Sequence, residues 1–392
     1  MGPLTGLKIV EMGQLIAGPF CGQLLGDMGA EVIKIEPPGA GDPMRLWGQA
    51  RGLPWEVMAR NKLSVSLNLR LSEGQALART LIGQADILIE NFKPGTLEGW
   101  SLDPQALRAA NPRLIVARMS GYGQSGPYSA RAGFGGIGEA MGGWRRIVGY
   151  PDRAPARLGV SIGDSLTAMF GALGVLAALR HREQTGEGQV VDAALYESVL
   201  AVMEGLVPEY AAGGVTRERT GTILPGIAPS NVYPCKDGDY MIGANADPIF
   251  RRLCEAMGAP ELAEDPRYRD HLARGANQGE LDARISAWTT GHTIAELDAK
   301  LAAASVPAGR LYAAADMLAD PHFAAREAIV DVAHPKWPGL KMQGVFPKLS
   351  ATPGAIRSIA PQTVGEHNGE ILGERLGLDA AALADLVARG VV

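Results

Sequence analysis

Short apolar strands alternating with amphipathic helices through the first half of the chain constrain the fold more than any other feature. Leu7–Met12 predicts a strand, followed by the loop Gly13-Gln14-Leu15-Ile16-Ala17-Gly18. Pro19 can open a helix because its missing N–H costs nothing in the first turn. That helix should run to about Met28 and stop at Gly29. Glu31–Glu36 predicts a second strand, halted by Pro37-Pro38-Gly39. The pattern recurs with strands at Ser64–Leu69, Asp86–Glu90, Leu114–Met119 and Gln189–Ala194, and helices at Ser72–Gln84 and after Asp103-Pro104. Strands alternating with helices imply crossover connections, so the expected fold is α/β with a parallel, doubly wound sheet. Such sheets bind ligands at the carboxyl ends of their strands. The loops after Met12, Glu36, Glu90 and Met119 are therefore the places to look for a site.

Beyond about Gly214 the texture changes. Asn231–Pro234 and Tyr240–Gly243 flank an Asp-Gly turn signal and predict a hairpin. Ala-rich helical segments follow to about Ala304. The expected organisation is a large domain at 1–214, a smaller α+β domain at 215–316, and a linker and C-terminal part at 317–392. The formal net charge is −5 and no basic block occurs, which speaks against a nucleic-acid partner. Cys21, Cys235 and Cys254 form no C-x-x-C pair, as expected of reduced thiols in a cytoplasmic protein. The start of the chain lacks the basic and apolar runs of a signal peptide. The longest apolar run, Ala168–Leu179, is about a dozen residues. That is too short for a bilayer and predicts a buried helix, with no membrane partner.

Each candidate motif has a plain structural alternative. Gly13–Gly18 sits where a dinucleotide loop would, with Glu36 about 20 residues on as a possible ribose acid. Without G-x-G-x-x-G, a plain βα turn is the better account. Asn91-Phe92-Lys93-Pro94-Gly95 offers N–H groups, an amide and a cation to a phosphate, or is an ordinary Pro-Gly turn. Arg60-Asn61-Lys62 and Arg70 could neutralise phosphates, but read first as a solvated edge. Gly163-Asp164-Ser165 precedes a long apolar run, so Asp164 reads locally as a helix cap. A carboxylate held ionised at a helix N-terminus can also act as a covalent nucleophile. No histidine pattern points to a metal, and no G-x-S-x-G or Walker A occurs.

Taken in order, the segments resemble the class III CoA-transferases and the related α-methylacyl-CoA racemases. They include A-G-P-F-C, L-G-D-M-G-A-E-V-I-K-I-E, N-K-L-S-V-S-L-N-L and A-D-I-L-I-E-N-F-K-P-G. S-G-Y-G-Q-S-G-P-Y, G-D-S-L-T-A-M-F-G-A-L-G and G-E-G-Q-V-V-D-A-A-L-Y-E-S-V complete the series. The resemblance spans essentially the whole chain. It implies an interlocked homodimer with a Rossmann-like large domain, completed by the C-terminal part, and a smaller domain between. It also implies acyl-CoA and a carboxylic acid as substrates, with no permanently bound cofactor. CoA contacts fall on Ile16 and Ala17, on Leu67 to Arg70, on Asn91, Phe92 and Lys93, and on Arg131 to Phe134. Pro37 stands where some relatives carry an arginine near the adenosine.

Asp164 matches the nucleophile of the transferases, which forms an acyl anhydride and then an aspartyl-CoA thioester. The racemases instead carry G-H-D, where this chain has Gly133-Phe134-Gly135. Neither Phe134 nor Gly135 can move a proton, so the two-base racemase or epimerase alternative is weakened. The G-F-G-x-I-x-E-A-M-G-G version resembles transferases of C4–C5 dicarboxylates such as succinate, malate, citramalate or mesaconate. Arg145 and Arg146 could meet a distal carboxylate or simply be solvated. A non-catalytic CoA-binding protein is the third alternative, and it would tolerate loss of Asp164.

Overall fold

Six parallel strands carry the larger of two units. They are β1 (Lys8–Glu11), β2 (Glu31–Glu36), β3 (Lys62–Ser66), β4 (Ile87–Glu90), β5 (Ile115–Ser120) and β6 (Val190–Ala194). Their order is β3-β2-β1-β4-β5-β6, with every neighbouring pair parallel. This order reverses between β1 and β4, the switch point at which doubly wound sheets open a crevice. The computed structural model describes residues 1–50 and 52–392. The larger unit comprises Met1–Trp144, Leu158–Gly213 and His322–Val392; the smaller comprises Arg145–Arg157 and Gly214–Pro321.

Side chains alternate between the two faces of each strand, and both faces are covered. Val10, Ile33, Val65, Leu88 and Val116 pack against the helices Ser72–Gly83 and Pro104–Ala110 and against Ile371, Leu386 and Val391 near the C-terminus. Ile9, Val32, Ile87, Ile115 and Met119 pack on the other face against Cys21 and Leu25 of the helix Ala17–Asp27. Ala168, Ala172, Val175 and Leu179 of the helix Ile162–Thr185 close the same face. That helix has 24 residues and extends on both sides of the apolar run Ala168–Leu179. By length and composition it could cross a bilayer, but one of its faces lies in the core.

The smaller unit is built on the antiparallel sheet β7-β8-β9, from Ser230–Cys235, Gly238–Gly243 and Ala308–Arg310. The helices Asp247–Met257, Gln278–Thr289 and Ile294–Ala303 supply Phe250, Leu253, Leu281, Ile285, Leu297 and Leu301 to its core. A two-stranded sheet, β10 (Ile329–Val332) with β11 (Leu340–Gln343), occupies the stretch that the sequence left as linker and turns.

The expected solvated edge at Arg60–Lys62 is not there. Arg60 and Lys62 are buried, and Arg60 makes a 2.6 Å ion pair with Asp27. The β3 edge is covered by distant chain: Asn61 N–H donates to Ser358 O, Ser66 N–H to Asn368 Oδ1, and Asn68 N–H to Val391 O. Lys62 Nζ lies 2.6 Å from Glu11 Oε2, and Lys34 Nζ lies 2.9 Å from Glu11 Oε1. Lys34 also meets Asp42 at 2.8 Å, and Arg45 meets Glu36 at 2.7 Å. Asp42 N–H donates to Glu36 and joins the two sets, so three carboxylates and three cations form one network, whose Glu11 and Lys62 lie against the helix Ala17–Asp27.

Gly22 of that helix faces the network directly. A Cβ there would overlap Glu11 Oε2 and stand 3.5 Å from Lys62 Nζ. Both Glu11 oxygens already hold a lysine, so the carboxylate has nowhere to move. Gly22→Ala should therefore cost about 3–5 kcal/mol, the range for breaking a buried ion pair. Urea denaturation followed by circular dichroism checks it.

Candidate active site

The switch point places two loops side by side. One follows β1, running from Gly13 into the helix at Ala17; the other follows β4 and holds Asn91-Phe92-Lys93. Asn91 joins them, since its Oδ1 accepts from Gln14 N–H at 2.8 Å and its Nδ2 donates to Gln14 O at 2.9 Å. The Asn91 amide is therefore committed to protein backbone. Glu90, just before it, accepts from Phe92 N–H at 2.7 Å and from Arg118 Nε at 2.7 Å. Burial pushes the Glu90 carboxyl up to about 6 against the pull of Arg118.

Two cavities open along these loops. One, of about 310 Å³, is walled by Gln14 to Ala17, Asn91 to Pro94, Arg131 to Phe134 and Asp164, with Leu195 and the end of β5 behind. The other, of about 550 Å³, is walled by Glu36, Pro37, Pro38, Leu67 to Arg70, Trp100 and Gly390. Gln14 and Phe92 belong to both. Phe92 packs edge-on against Trp100, with ring centroids 5.0 Å apart. Every residue singled out from sequence for CoA contact lies on one cavity or the other. Ile16, Ala17, Asn91, Lys93, Arg131 and Phe134 line the smaller, Leu67 and Arg70 the larger, and Phe92 both.

Asp164 is not a helix cap. The N-cap is Ser161, and Asp164 sits inside the first turn of the helix Ile162–Thr185. There the helix dipole favours a negative charge beside the N-terminal N–H groups. Gly135 abuts it: a Cβ on Gly135 would overlap Asp164 Oδ2 and lie 2.8 Å from its Cγ. A residue with a side chain at this position would therefore occupy the space of the Asp164 carboxylate. The segment before it is held by a close backbone crossing, since a Cβ on Gly133 would stand 2.6 Å from Gly121 Cα. That crossing carries Phe134 to the cavity with 66% of its surface exposed. Arg131 lies over the Tyr128 ring, 3.6 Å from its centroid.

Glu36 is not available as a ribose acid. It is buried and accepts from Arg45, from Ser64 Oγ at 2.6 Å and from Asp42 N–H at 2.9 Å. Burial opposes its charge, but Arg45 and Lys34 outweigh burial and hold the carboxyl below its ordinary range. Arg146 pairs with Glu218 within the smaller unit. Sequence reasoning missed Gln14 and Leu15 as cavity walls, and Asp42 as the acceptor of Leu15 N–H. Asp42-Pro43 did carry a signal, an Asp cap before a helical proline, and Asp42 Oδ1 accepts from Met44 N–H at 2.9 Å.

Comparison with known proteins identifies the family. The model of CoA-transferase family III matches residues 4–368. Succinyl-CoA–D-citramalate CoA-transferase of Chloroflexus aurantiacus is 55% identical over 395 residues, spanning 100% of this chain and 98% of the relative. Succinyl-CoA:mesaconate CoA-transferase of Haloarcula marismortui is 36% identical, spanning 95% of this chain and 96% of the relative. The crystal structure of a CAIB/BAIF family protein from Brucella suis superposes with a TM-score of 0.84 at 36% identity, covering 95% of this chain and 99% of that one. Matched along nearly its whole length by the family model and by an enzyme that transfers CoA, this chain is a member of CoA-transferase family III and a class III CoA-transferase.

Proposed function

We propose that this enzyme moves CoA from succinyl-CoA to a C4–C5 dicarboxylic acid, with D-citramalate the first acceptor to test, through covalent intermediates on Asp164. The observation that carries the mechanism is the placing of Asp164, in the first turn of its helix, at the wall of a cavity with Lys93, Arg131 and Phe134, with Gly135 abutting its carboxylate from behind the wall. The substrate class follows the relatives, whose names specify citramalate, malate and mesaconate. The larger cavity takes the nucleotide end of CoA, with Arg70 at its wall and Pro37 in place of an adenosine-side arginine. The smaller cavity takes the thioester, beside Lys93 and Arg131.

The steps balance as follows. An Asp164 Oδ atom attacks the thioester carbonyl, the C–S bond breaks, and CoA leaves as the thiolate. The product is a mixed anhydride between Asp164 and the acyl group. The thiolate then attacks Asp164 Cγ, giving an aspartyl-CoA thioester and releasing succinate. The acceptor carboxylate attacks Cγ, forms a new anhydride and returns the thiolate. Attack of the thiolate on the acceptor acyl carbon yields the new thioester and restores Asp164. Each step exchanges one acyl bond for another, so the thioester free energy is conserved and no proton need be taken from carbon. A carboxylate is a weak nucleophile in water, so positioning and partial exclusion of solvent carry the rate.

The same proposal includes a homodimer. Met169, Leu173 and Leu176 stand exposed on the helix Ile162–Thr185, opposite the face it buries in the core. A second copy would cover such a stripe.

Asp164→Ala should lower transfer at least about 10³-fold while CoA still binds. Calorimetry with CoA and a coupled assay separate the two, and retained turnover would sink the mechanism. Acyl-CoA followed by hydroxylamine should modify the peptide holding Asp164, as read by mass spectrometry.

Gly135→Ala should displace the carboxylate rather than the fold. The expected result is a fall in kcat of about 10- to 100-fold, with the KM for acyl-CoA within about twofold. Steady-state kinetics check it, and full activity would show that Asp164 needs no such clearance.

A 2-methylacyl-CoA incubated with the enzyme in deuterated water should keep its α-proton, as read by NMR. Rapid exchange would restore the racemase alternative.

A further inference from the structure

We propose that Asp42 and Lys34 are positioning residues for the transfer reaction, fixing the backbone of Gly13 to Leu15 at the wall of the cavity that holds Asp164. The inference rests on the function proposed above. This segment lies between the end of β1 and the helix at Ala17 and is in neither strand nor helix. Yet four of its consecutive backbone polar groups are each held by a side chain. Gly13 O accepts from Lys34 Nζ at 2.8 Å, and Leu15 N–H donates to Asp42 Oδ1 at 3.1 Å. Between them, Gln14 N–H and Gln14 O bond to Asn91 at 2.8 Å and 2.9 Å.

The conformation needs that support. Leu15 has φ 63°, in the left-handed region that a branched side chain rarely adopts. Such a residue persists only where its surroundings over-determine it. The clamp is anchored deep in the sheet. Asp42 and Lys34 are joined at 2.8 Å, and Lys34 is tied to Glu11, whose other oxygen holds Lys62. Burial works against the Lys34 charge, but Asp42, Glu11 and Glu36 outweigh it and hold the ammonium above the ordinary lysine range. Burial also opposes the Asp42 charge, and Lys34 with the N–H groups of Met44 and Leu15 holds that carboxyl below its ordinary range.

The clamp reaches both cavities. Leu15 lines the one with Asp164, and Gln14 lines both. Asp42 N–H donates to Glu36, which lines the other. A carboxylate nucleophile depends on alignment more than on intrinsic reactivity, so a loop displaced by about 1 Å should slow chemistry before it weakens CoA binding.

Two variants and one exchange measurement test this. Asp42→Ala should lower kcat about 10- to 100-fold and leave the KM for acyl-CoA within about twofold. Asp42→Asn retains an oxygen that can accept from Leu15 N–H but gives up the charge that pairs with Lys34, and should recover part of kcat. A folded Ala variant with wild-type kcat, a loss confined to KM, or equal losses in Ala and Asn would each overturn the proposal. Hydrogen exchange on the wild-type enzyme decides the matter if Asp42→Ala does not fold. The amides of Gln14 and Leu15 should exchange as slowly as those of β1, and exchange at the rate of exposed loops would overturn the clamp. That measurement is independent of the nucleophile: activity in Asp164→Ala would remove the covalent route and leave the exchange result standing.

Discussion

Lys34 is shut off from water with its ammonium between Glu11 and Asp42, and much of the site's geometry depends on that contact. Removing a cation from water costs several kcal/mol, which only near-complete pairing offsets. Here the pairing is near complete: two carboxylates and the Gly13 carbonyl surround one ammonium. An apolar cluster of the same volume could give similar stability. It could not grip the polar backbone of a loop. The network thus converts a rigid part of the sheet into a fixed position for a segment that has no strand or helix of its own.

The same logic explains which features could be read from sequence. β2 occupies the predicted residues Glu31–Glu36, because its apolar run is bounded by Gly29 and by Pro37-Pro38. Asp103 caps the helix Pro104–Ala110 through Ala106 N–H, as a local Asp-Pro signal indicates. Both are decided by neighbouring residues. Arg60–Lys62 is decided by residues roughly 300 positions away, where Ser358 and Arg357 bond to Asn61. No local pattern announces that cover, so charge on an edge strand read as solvation. Glu36 failed for a related reason. Its spacing from the first loop suits a ribose acid, but Arg45 and Ser64 already take its oxygens.

Asp164 shows how family resemblance and local chemistry divide the work. Locally, an Asp just before an apolar run reads as a cap, because the apolar residues alone mark where the helix starts. The helix instead begins at Ile162 and runs to Thr185, so Asp164 falls within its first turn and the capping position passes to Ser161. The cavity it shares with Arg131 and Phe134 is walled on another side by the loops after β1 and β4, which the strand order β1-β4-β5 sets next to one another. The ordered motifs brought these residues into one list. The sheet brings them into one cavity.

The contrast between transfer and proton chemistry then becomes a matter of space. A racemase needs an acid and a base that flank a carbon, and the resemblance to the racemases implies such groups at the positions of Phe134 and Gly135. Here one position is a phenyl ring and the other is a glycine, and the Asp164 carboxylate occupies the space a side chain there would take. Position is what the proposed relay requires, because Asp164 Cγ must be presented in turn to a thiolate and to a second carboxylate. A side chain at 135 would displace that carboxylate even if it could carry a proton. The residue that cannot serve as an acid–base partner is therefore the same one that makes room for the Asp164 carboxylate, and a single glycine accounts for both.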